Sequence, residues 1–488
     1  VTSHVDAEYD VIVIGGGPAG ENAAAFAIAG SSRTAAIVEH ELFGGECSYW
    51  ACIPSKALLR PGAVLAEAKA MPGVDATGLD LAAVLARRDR FVHNHDDENQ
   101  VEWVESAGIT PIRGSARLTG ERTVAVTQPD GTTTTLRARQ AVVIATGTTA
   151  TLDAPVPGLR EALPWTSRDA TNLKTVPPRV AILGGGVVAC EAATWLTELG
   201  AHVTLIVRGE RLLPRAEPFA SEWVLNGLSK AGVDVRLHTK PAAISRINPQ
   251  DNGIGDLHGG KVTLTLSKGE PVEVDELVVA IGRSPATTSL GLETVNLTPG
   301  EYIDVDDQLT VKGVEGDWLY AVGDVNNRAP LTHMGKYQAR VAGDVIAARA
   351  EGRPLDAPRY VASADHQHVP QVVYTNPEVA WVGLTEDEAR EAGHAVETVE
   401  VDIAVAGSAL SRKGFHGRAK LVIDAATDRL LGATFVGPET GEQLHAATIA
   451  IVGQVPLETL WHAIPAFPTV SEFWLRLLEA RREKSETT

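Results

Sequence analysis

The sequence predicts an α/β fold: two Rossmann-like dinucleotide-binding domains followed by a C-terminal α+β domain. Three observations predict it. A short apolar run enters a glycine turn at Gly15-Gly16-Gly17-Pro18-Ala19-Gly20. The same pattern restarts at Gly184-Gly185-Gly186-Val187-Val188-Ala189. From Val369 onward, short strands separated by turn residues give way to helices. The 488 residues agree with about three domains.

Asp10–Ile14 reads as a buried strand, Glu21–Ala29 as a small-residue helix, and Thr34–Val38 as a second strand ending in Glu39. Gly15 permits the tight turn, Gly17 lets the backbone approach a pyrophosphate, and Gly20 lets helix and strand pack closely. Pro18 and Ala19 complete the turn. The phosphates would sit on the helix N-terminus, and Glu39 would accept from a ribose hydroxyl. A lone glycine turn is weak evidence; with flanking strands and a strand-end acid it specifies a dinucleotide site.

The stretch Gly44-Gly45-Glu46-Cys47-Ser48-Tyr49-Trp50-Ala51-Cys52-Ile53-Pro54-Ser55-Lys56 follows and opens a helix over Pro54–Ala70. Five residues along a regular helix rise about 7.5 Å and rotate about 140°. A disulfide needs its Cα atoms within ~7 Å. If Cys47 and Cys52 bond, the helix start must be distorted between them. A helix N-terminus also favours thiolate. We read the pair as a redox-active dithiol beside a flavin; two unrelated buried cysteines would not explain the flanking glycines, proline and lysine.

Leu81–Ser106 reads as one charged helix, with His93, His95, Asp96 and Asp97 on a solvated face and no metal site. Arg113-Gly114-Ser115-Ala116 and a hairpin over Thr123–Leu136 come next. Ala141–Ala145 is a buried strand running into Thr146-Gly147. Pro155–Pro178 is a proline-rich junction. The second dinucleotide fold then runs through a strand at Arg179–Leu183, a helix at Cys190–Leu199 and a strand at Val203–Val207. No acid ends that last strand; Arg208, Arg211 and Arg215 follow. A carboxylate would repel a 2′-phosphate and arginine accommodates one, so the stretch predicts NADPH rather than NADH. Val272–Ile281 reads as a strand ending at Gly282-Arg283, and Asp317–Asp324 as one ending at Gly323-Asp324, an acid suited to the hydroxyls of a flavin's sugar-like chain. A helix at Leu331–Ala350, opening on Leu331-Thr332, completes this part. The C-terminal region carries no glycine-rich phosphate loop, so its expected role is packing or a subunit interface.

Composition bounds the function. A formal charge of -19 argues against nucleic acid or an anionic membrane as partner. No apolar run approaches ~18 residues, so no membrane span is expected. The polar lead-in Val1–Glu8 lacks a signal-peptide pattern, and three cysteines are no secreted disulfide framework. A reducing, cytoplasmic setting is expected, where a close cysteine pair is catalytic or metal-binding.

Two dinucleotide folds with a cysteine pair beside the first closely resemble the pyridine nucleotide-disulfide oxidoreductases, the group of dihydrolipoamide dehydrogenase, glutathione reductase and mercuric reductase. The resemblance covers nearly the whole chain, including Tyr374-Thr375-Asn376-Pro377-Glu378 and Pro468-Thr469. It implies an FAD-binding domain (1–154), an NAD(P)-binding domain (155–283), the second part of the FAD-binding or central domain (284–358) and a dimerisation domain (359–488). It implies a homodimer with each active site built from both subunits. FAD would be held by Gly15, Gly17, Pro18, Ala19, Gly20, Glu39, Gly45, Glu46, Lys56, Ser115, Ala116, Thr146, Gly147, Arg283, Gly323, Asp324, Leu331 and Thr332. NADPH would be held by Gly184, Gly186, Val187, Arg208, Arg215 and Gly282. Cys52 would lie against the flavin, Cys47 would be the interchange thiol, and Lys56 would pair with Glu191. Hydride would pass from nicotinamide to flavin and electrons on to the cysteine pair.

The departures set the expected function. Disulfide-reducing members carry a His-x-His-Pro-Thr-type motif whose second histidine, five residues before a glutamate, is the acid/base. Aligning Pro468-Thr469 and Glu472 puts Phe467 in that place. Phenylalanine cannot move a proton, and such a group is worth about 10²–10⁴-fold. His462 and His445 could substitute only through local rearrangement. Glu46 replaces a usual threonine and should disfavour the Cys47 thiolate. Trp50 and Phe467 should line an apolar entrance suited to a flat acceptor. No cysteine follows Cys190, which argues against mercuric reductase and large thioredoxin reductases; Cys190 itself reads as a small buried residue. The expected activity is reduction of a quinone or similar small acceptor. The alternatives are a reductase of small disulfides with an atypical proton donor, and a flavin-bound redox sensor or non-catalytic subunit.

Overall fold

A computed structural model describes residues 5–487. It contains two compact units. One is assembled from Val1–Pro54, Asp89–Thr151 and Gly282–His366, the other from Ser55–Arg88, Leu152–Ile281 and Gln367–Thr488.

The first unit is built on strands β1 (Ala7–Ile14), β2 (Ala35–Glu39), β3 (Ile109–Arg113), β4 (Ser115–Gly120), β5 (Thr123–Thr127) and β6 (Thr133–Ile144), in the order β3-β2-β1-β6-β5-β4. β1 runs parallel to β2 and β6, with Val11 opposite Ala35 and Ala141. The strand Leu319–Ala321 also pairs with β6 in parallel. Val11–Ile14 and Ala35–Val38 are buried along their whole length, which is why they read as unbroken apolar runs rather than as alternation. Helix α1 (Pro18–Ile28) packs Ala23, Ala24 and Ala27 into this core and lies against the helix Thr332–Ala350.

Two helices differ from the sequence expectation. The dithiol stretch forms a short helix α2 (Gly45–Tyr49) and a long helix α3 (Cys52–Ala70), interrupted at Trp50-Ala51. The interruption falls between the two cysteines, where a bonded pair requires it. The single helix expected over Leu81–Ser106 is two helices, α4 (Leu81–Phe91) and α5 (Glu98–Ser106). Between them His93, Asn94 and His95 have φ of 50°, 52° and 62°. The two histidines therefore stand on a left-handed turn and not on a solvated helix face.

The second unit holds a parallel sheet of Asp234–Arg236, His202–Ile206, Arg179–Leu183 and Glu276–Val279, in that order. Helix Val187–Glu198 follows its glycine turn. The strand expected over Val272–Ile281 divides at Asp275. Val272–Val274 joins an antiparallel sheet with Val262–Leu266, and Glu276–Val279 joins the parallel one. Asp275 marks the division because its carboxylate takes the Arg179 backbone N–H (3.0 Å) and pairs with the Arg179 guanidinium (2.8 Å). The C-terminal part is a five-stranded antiparallel sheet, ordered Gln371–Val373, Glu378–Gly383, Arg429–Gly437, Arg418–Asp424, Val396–Asp402. Helices Thr440–Val452 and Phe473–Thr487 pack on it around Phe435, Phe473 and Leu477. This is the α+β domain that the sequence predicts.

One carboxyl in this unit stands out. Glu198 Oε2 is shut from solvent without a hydrogen-bond partner among the described residues, against Gly62 of α3. Burial pushes its pKa from 4.5 up to about 7. The neutral form therefore favours the fold. Its contribution is fully present below about pH 4.5 and is lost as pH rises through about 7. Glu198→Gln should remove this dependence and raise stability at pH 8 by up to about 3 kcal/mol. Denaturant unfolding of both proteins at pH 5 and pH 8 checks it; equal differences at the two pH values would contradict it.

Candidate active site

In the first unit the dinucleotide turn and the cysteine stretch are pressed together. Gly15, at φ 107°, ends β1 so close to the next strand end that a Cβ would lie 2.4 Å from the Ala145 carbonyl oxygen. Gly45 starts α2 directly on Gly17: a Cβ there would stand 2.7 Å from the Gly17 Cα. The Gly44 N–H donates to the Gly16 carbonyl (2.8 Å). On the other side of the turn, Gly323 and Gly335 leave room for Ala19. Pro18 opens α1, with Gly17 as its N-cap.

The acids expected to hold a cofactor are at strand ends. Glu39 is buried and accepts from the N–H groups of Gly16 and Glu41, both at 2.7 Å. Burial opposes its charge, but bonds from His40 and these two amides outweigh it and hold the carboxyl below its ordinary value. The Gly114 N–H donates to the Glu39 carbonyl (2.9 Å), which sets Ser115-Ala116 beside that strand end. Asp324 is raised by burial, and accepts from Thr148 Oγ1 (3.1 Å). Arg283 donates to Thr148 Oγ1 and to the Thr148 carbonyl, both at 2.6 Å, and reaches Glu46 at 3.3 Å. Glu46, expected to disfavour the Cys47 thiolate, therefore has a guanidinium standing against its charge. Nothing in the sequence singles out Thr148, because its role depends on the antiparallel pairing of Thr148–Ala150 with Arg283–Pro285, far away in the chain.

A cofactor of FAD type fits these residues. Thr146 Oγ1 is buried without a partner among the described residues, Gly147 at φ 67° faces open space, and the turn presents α1's N-terminal amides. Cys47 and Cys52 are both half-buried. Cys52 is the first residue of α3, where the helix dipole favours a thiolate, and its Sγ lies 3.3 Å from Thr332 Oγ1. Leu331 is the N-cap of the helix that Thr332 begins. Gly282, expected at the nicotinamide cofactor, lies in this first unit, its carbonyl accepting from the Thr151 N–H (3.0 Å).

Trp50 departs from expectation. It is 8% exposed and packs with Tyr49, Val92 and Leu42, its ring stacked on His95. Its apolar neighbours draw it inward, so it does not line an entrance.

In the second unit Lys56 and Glu191 form an ion pair at 2.7 Å. Glu191 is 4% exposed, and its other oxygen accepts the Tyr374 N–H (3.0 Å). Lys56 Nζ stands 5.0 Å from the centre of the Tyr374 ring. The adjacent Cys190 is fully buried, and burial raises its thiol far above the usual range, so it is inert. Gly184, Gly186 and Val187 form the turn into the helix Val187–Glu198, and Gly185 packs on Val207 at the end of the following strand His202–Ile206. Arg208 and Arg215 are exposed beyond that strand.

The C-terminal motif places an apolar group outward. Phe467 is 76% exposed. Glu472 is buried, and its Oε2 has no hydrogen-bond partner among the described residues. His445 and His462 are exposed.

Comparison with known proteins agrees with this geometry. The profile described as pyridine nucleotide-disulphide oxidoreductase matches residues 9–342, and that of the same family's dimerisation domain matches 369–477. Dihydrolipoyl dehydrogenase of Chlorobaculum tepidum is 33% identical, over 96% of this chain and 95% of its own. Mercuric reductase of Staphylococcus aureus is 30% identical, over 96% of this chain and 81% of its own. In fold, the chain is similar to the HOCl-induced flavoprotein disulfide reductase RclA of Escherichia coli in its Cu(II) complex, with a TM-score of 0.81, 24% identity and coverage of 97% and 99%. Such relatives bind FAD and a pyridine nucleotide, and the dimerisation match supports a homodimer. A glycine turn pressed against a cysteine pair, a second such turn and a matching C-terminal domain have one common source: this chain belongs to the pyridine nucleotide-disulphide oxidoreductase family.

Proposed function

We propose that the protein is an FAD-dependent, NADPH-oxidising homodimer that reduces a quinone or a similar flat, non-disulfide acceptor. The observation that carries the reading is Phe467. An apolar, exposed side chain occupies the sequence position of the family's acid/base histidine, and the buried Glu472 has an oxygen with no partner among the described residues. Thiol–disulfide exchange expels a thiolate and depends on its protonation. A quinone takes an electron pair and two protons, which water at an open site can supply, and expels no sulfur leaving group, so loss of that base costs it little. Bound FAD supplies the two-electron chemistry that links nicotinamide to acceptor. Glu39, Asp324, Thr146 and Arg283 would hold it, and the Gly15–Gly20 turn would bind its phosphates. Lys56, fixed by Glu191 and Tyr374, would place a positive charge at the reacting rings. The low cysteine content supports a reducing, cytoplasmic setting.

Steady-state turnover with NADPH tests the reading. A benzoquinone should exceed lipoamide and oxidised glutathione in kcat/KM by at least roughly 100-fold. Efficient disulfide reduction without quinone turnover would overturn it. The retained Cys47–Cys52 pair across the helix break favours a second reading, a reductase of small disulfides, which predicts that opposite outcome.

The cofactor preference has its own test. Arg208 would pair with a 2′-phosphate, a charge-assisted bond worth about 1.5–3 kcal/mol. Arg208→Glu should lower kcat/KM for NADPH roughly 10- to 100-fold and leave NADH within about twofold. Equal losses for both would contradict the assignment.

A further inference from the structure

Phe43–Cys52 is held at both ends by one turn. At its leading end, Asp97 Oδ2 accepts the Phe43 N–H at 2.7 Å. The same carboxylate pairs with Arg113 at 2.6 Å, and the Arg113 guanidinium stands 4.8 Å over the Phe43 ring. At its trailing end, the His95 ring stacks on Trp50 with centroids 4.5 Å apart and planes 24° from parallel. Tyr49 tilts against the same imidazole at 6.3 Å.

The segment needs such support. α2 has five residues, too few to hold itself. The last bond of α2 runs from the Trp50 N–H to the Glu46 carbonyl (2.9 Å), and α3 begins only at Cys52, so no single helix fixes the separation of Cys47 and Cys52. Packing contributes to it, and the cluster of Tyr49 (1% exposed), Trp50 (8%) and Val92 (0%) is separate from the main core.

The turn itself is held in a costly form. His93, Asn94 and His95 are three consecutive non-glycine residues at positive φ. Each such residue costs of order 1 kcal/mol and persists only where its surroundings over-determine it. Here the surroundings are the Trp50 stack on one side and the Asp97 anchor on the other.

We propose that the His93–Asp97 turn is a clamp that positions the cysteine pair, with His95 and Asp97 as positioning residues acting through Trp50 and Phe43. The clamp rests on the reading of Cys47 and Cys52 as a redox dithiol. Trp50 is two residues before Cys52, so the stack on His95 fixes where Cys52 stands relative to Cys47.

The test uses the full-length, FAD-loaded protein, reduced anaerobically with NADPH. Two quantities are read: the long-wavelength thiolate-to-flavin absorbance band and the rate of Cys47 alkylation by iodoacetamide, mapped by peptide mass. His95→Ala should lose most of the band and be alkylated roughly three- to tenfold faster, the span an aromatic stack covers. His95→Phe keeps the stack and should restore both. If His95→Ala sheds FAD, His95→Leu serves in its place with the same expectation. A band and alkylation rate unchanged by removal of the stack would overturn the clamp alone. Failure of His95→Phe to restore them would overturn stacking as its basis. A wild-type enzyme without any such band would refute the dithiol reading, and the clamp's function with it.

Discussion

Phe467→His should raise turnover of small disulfides by about 10²-fold or more, the range expected when a general acid/base is supplied to a reaction that lacks one. Phe467 is exposed, five residues before a buried Glu472 whose Oε2 has no partner among the described residues. An imidazole introduced at 467 would offer that carboxylate an N–H and gain an orientation from it, the arrangement that makes a histidine an efficient base. Quinone turnover should change by less than about threefold, because no thiolate leaves in that reaction. The gain should follow the deprotonation of one group near the ordinary histidine pKa of about 6.5. Steady-state assays with lipoamide and a benzoquinone across pH measure both. Unchanged disulfide turnover would mean that another group already serves as base, and would favour the disulfide-reductase reading.

The second large effect is at Lys56. Its ammonium meets the 4%-exposed Glu191 at 2.7 Å, and Glu191 is held in turn by the Tyr374 N–H at 3.0 Å. Lys56→Met should slow reduction of bound FAD by NADPH roughly 10²-fold, the usual scale for a preorganised charge at a reacting centre. It should also lower stability by a few kcal/mol at most, since it leaves Glu191 buried and unpaired, while the 38% exposure of Lys56 lets water screen part of the loss. The double variant Lys56→Met/Glu191→Gln separates the two effects: stability should return and the rate should not. Stopped-flow flavin absorbance and denaturant unfolding make the comparison. A rate that recovers with stability would show that the pair is structural only.

The parts of this molecule legible in the sequence are those that backbone geometry demands. Gly15 and Gly184 stand at positive φ where a strand must turn sharply toward a helix, and no other residue type does this cheaply. The buried parallel strands were legible as apolar runs. Three features were not. The strand break at Asp275 is hidden because strand-forming valines lie on both sides of the Asp275-Glu276 pair, and the pairing of Asp275 with Arg179, distant in sequence, accompanies their division between two sheets. The break at His93–His95 carries no glycine or proline; it exists because His95 meets Trp50, some forty residues away in sequence. The neutralisation of Glu46 by Arg283 likewise depends on a contact no local pattern announces. In the candidate site, the Lys56–Glu191 pair was within reach of the sequence through family resemblance, whereas Thr148 required the fold.

In the proposed function, electrons leave this enzyme for a non-disulfide acceptor. The direct measurement is rapid mixing of NADPH-reduced enzyme with either a benzoquinone or lipoamide, following flavin reoxidation without oxygen. Reoxidation by the quinone is expected at or above the steady-state turnover rate, and reoxidation by lipoamide at least roughly 100-fold slower. Rapid reoxidation by lipoamide, with the quinone slow, would contradict it.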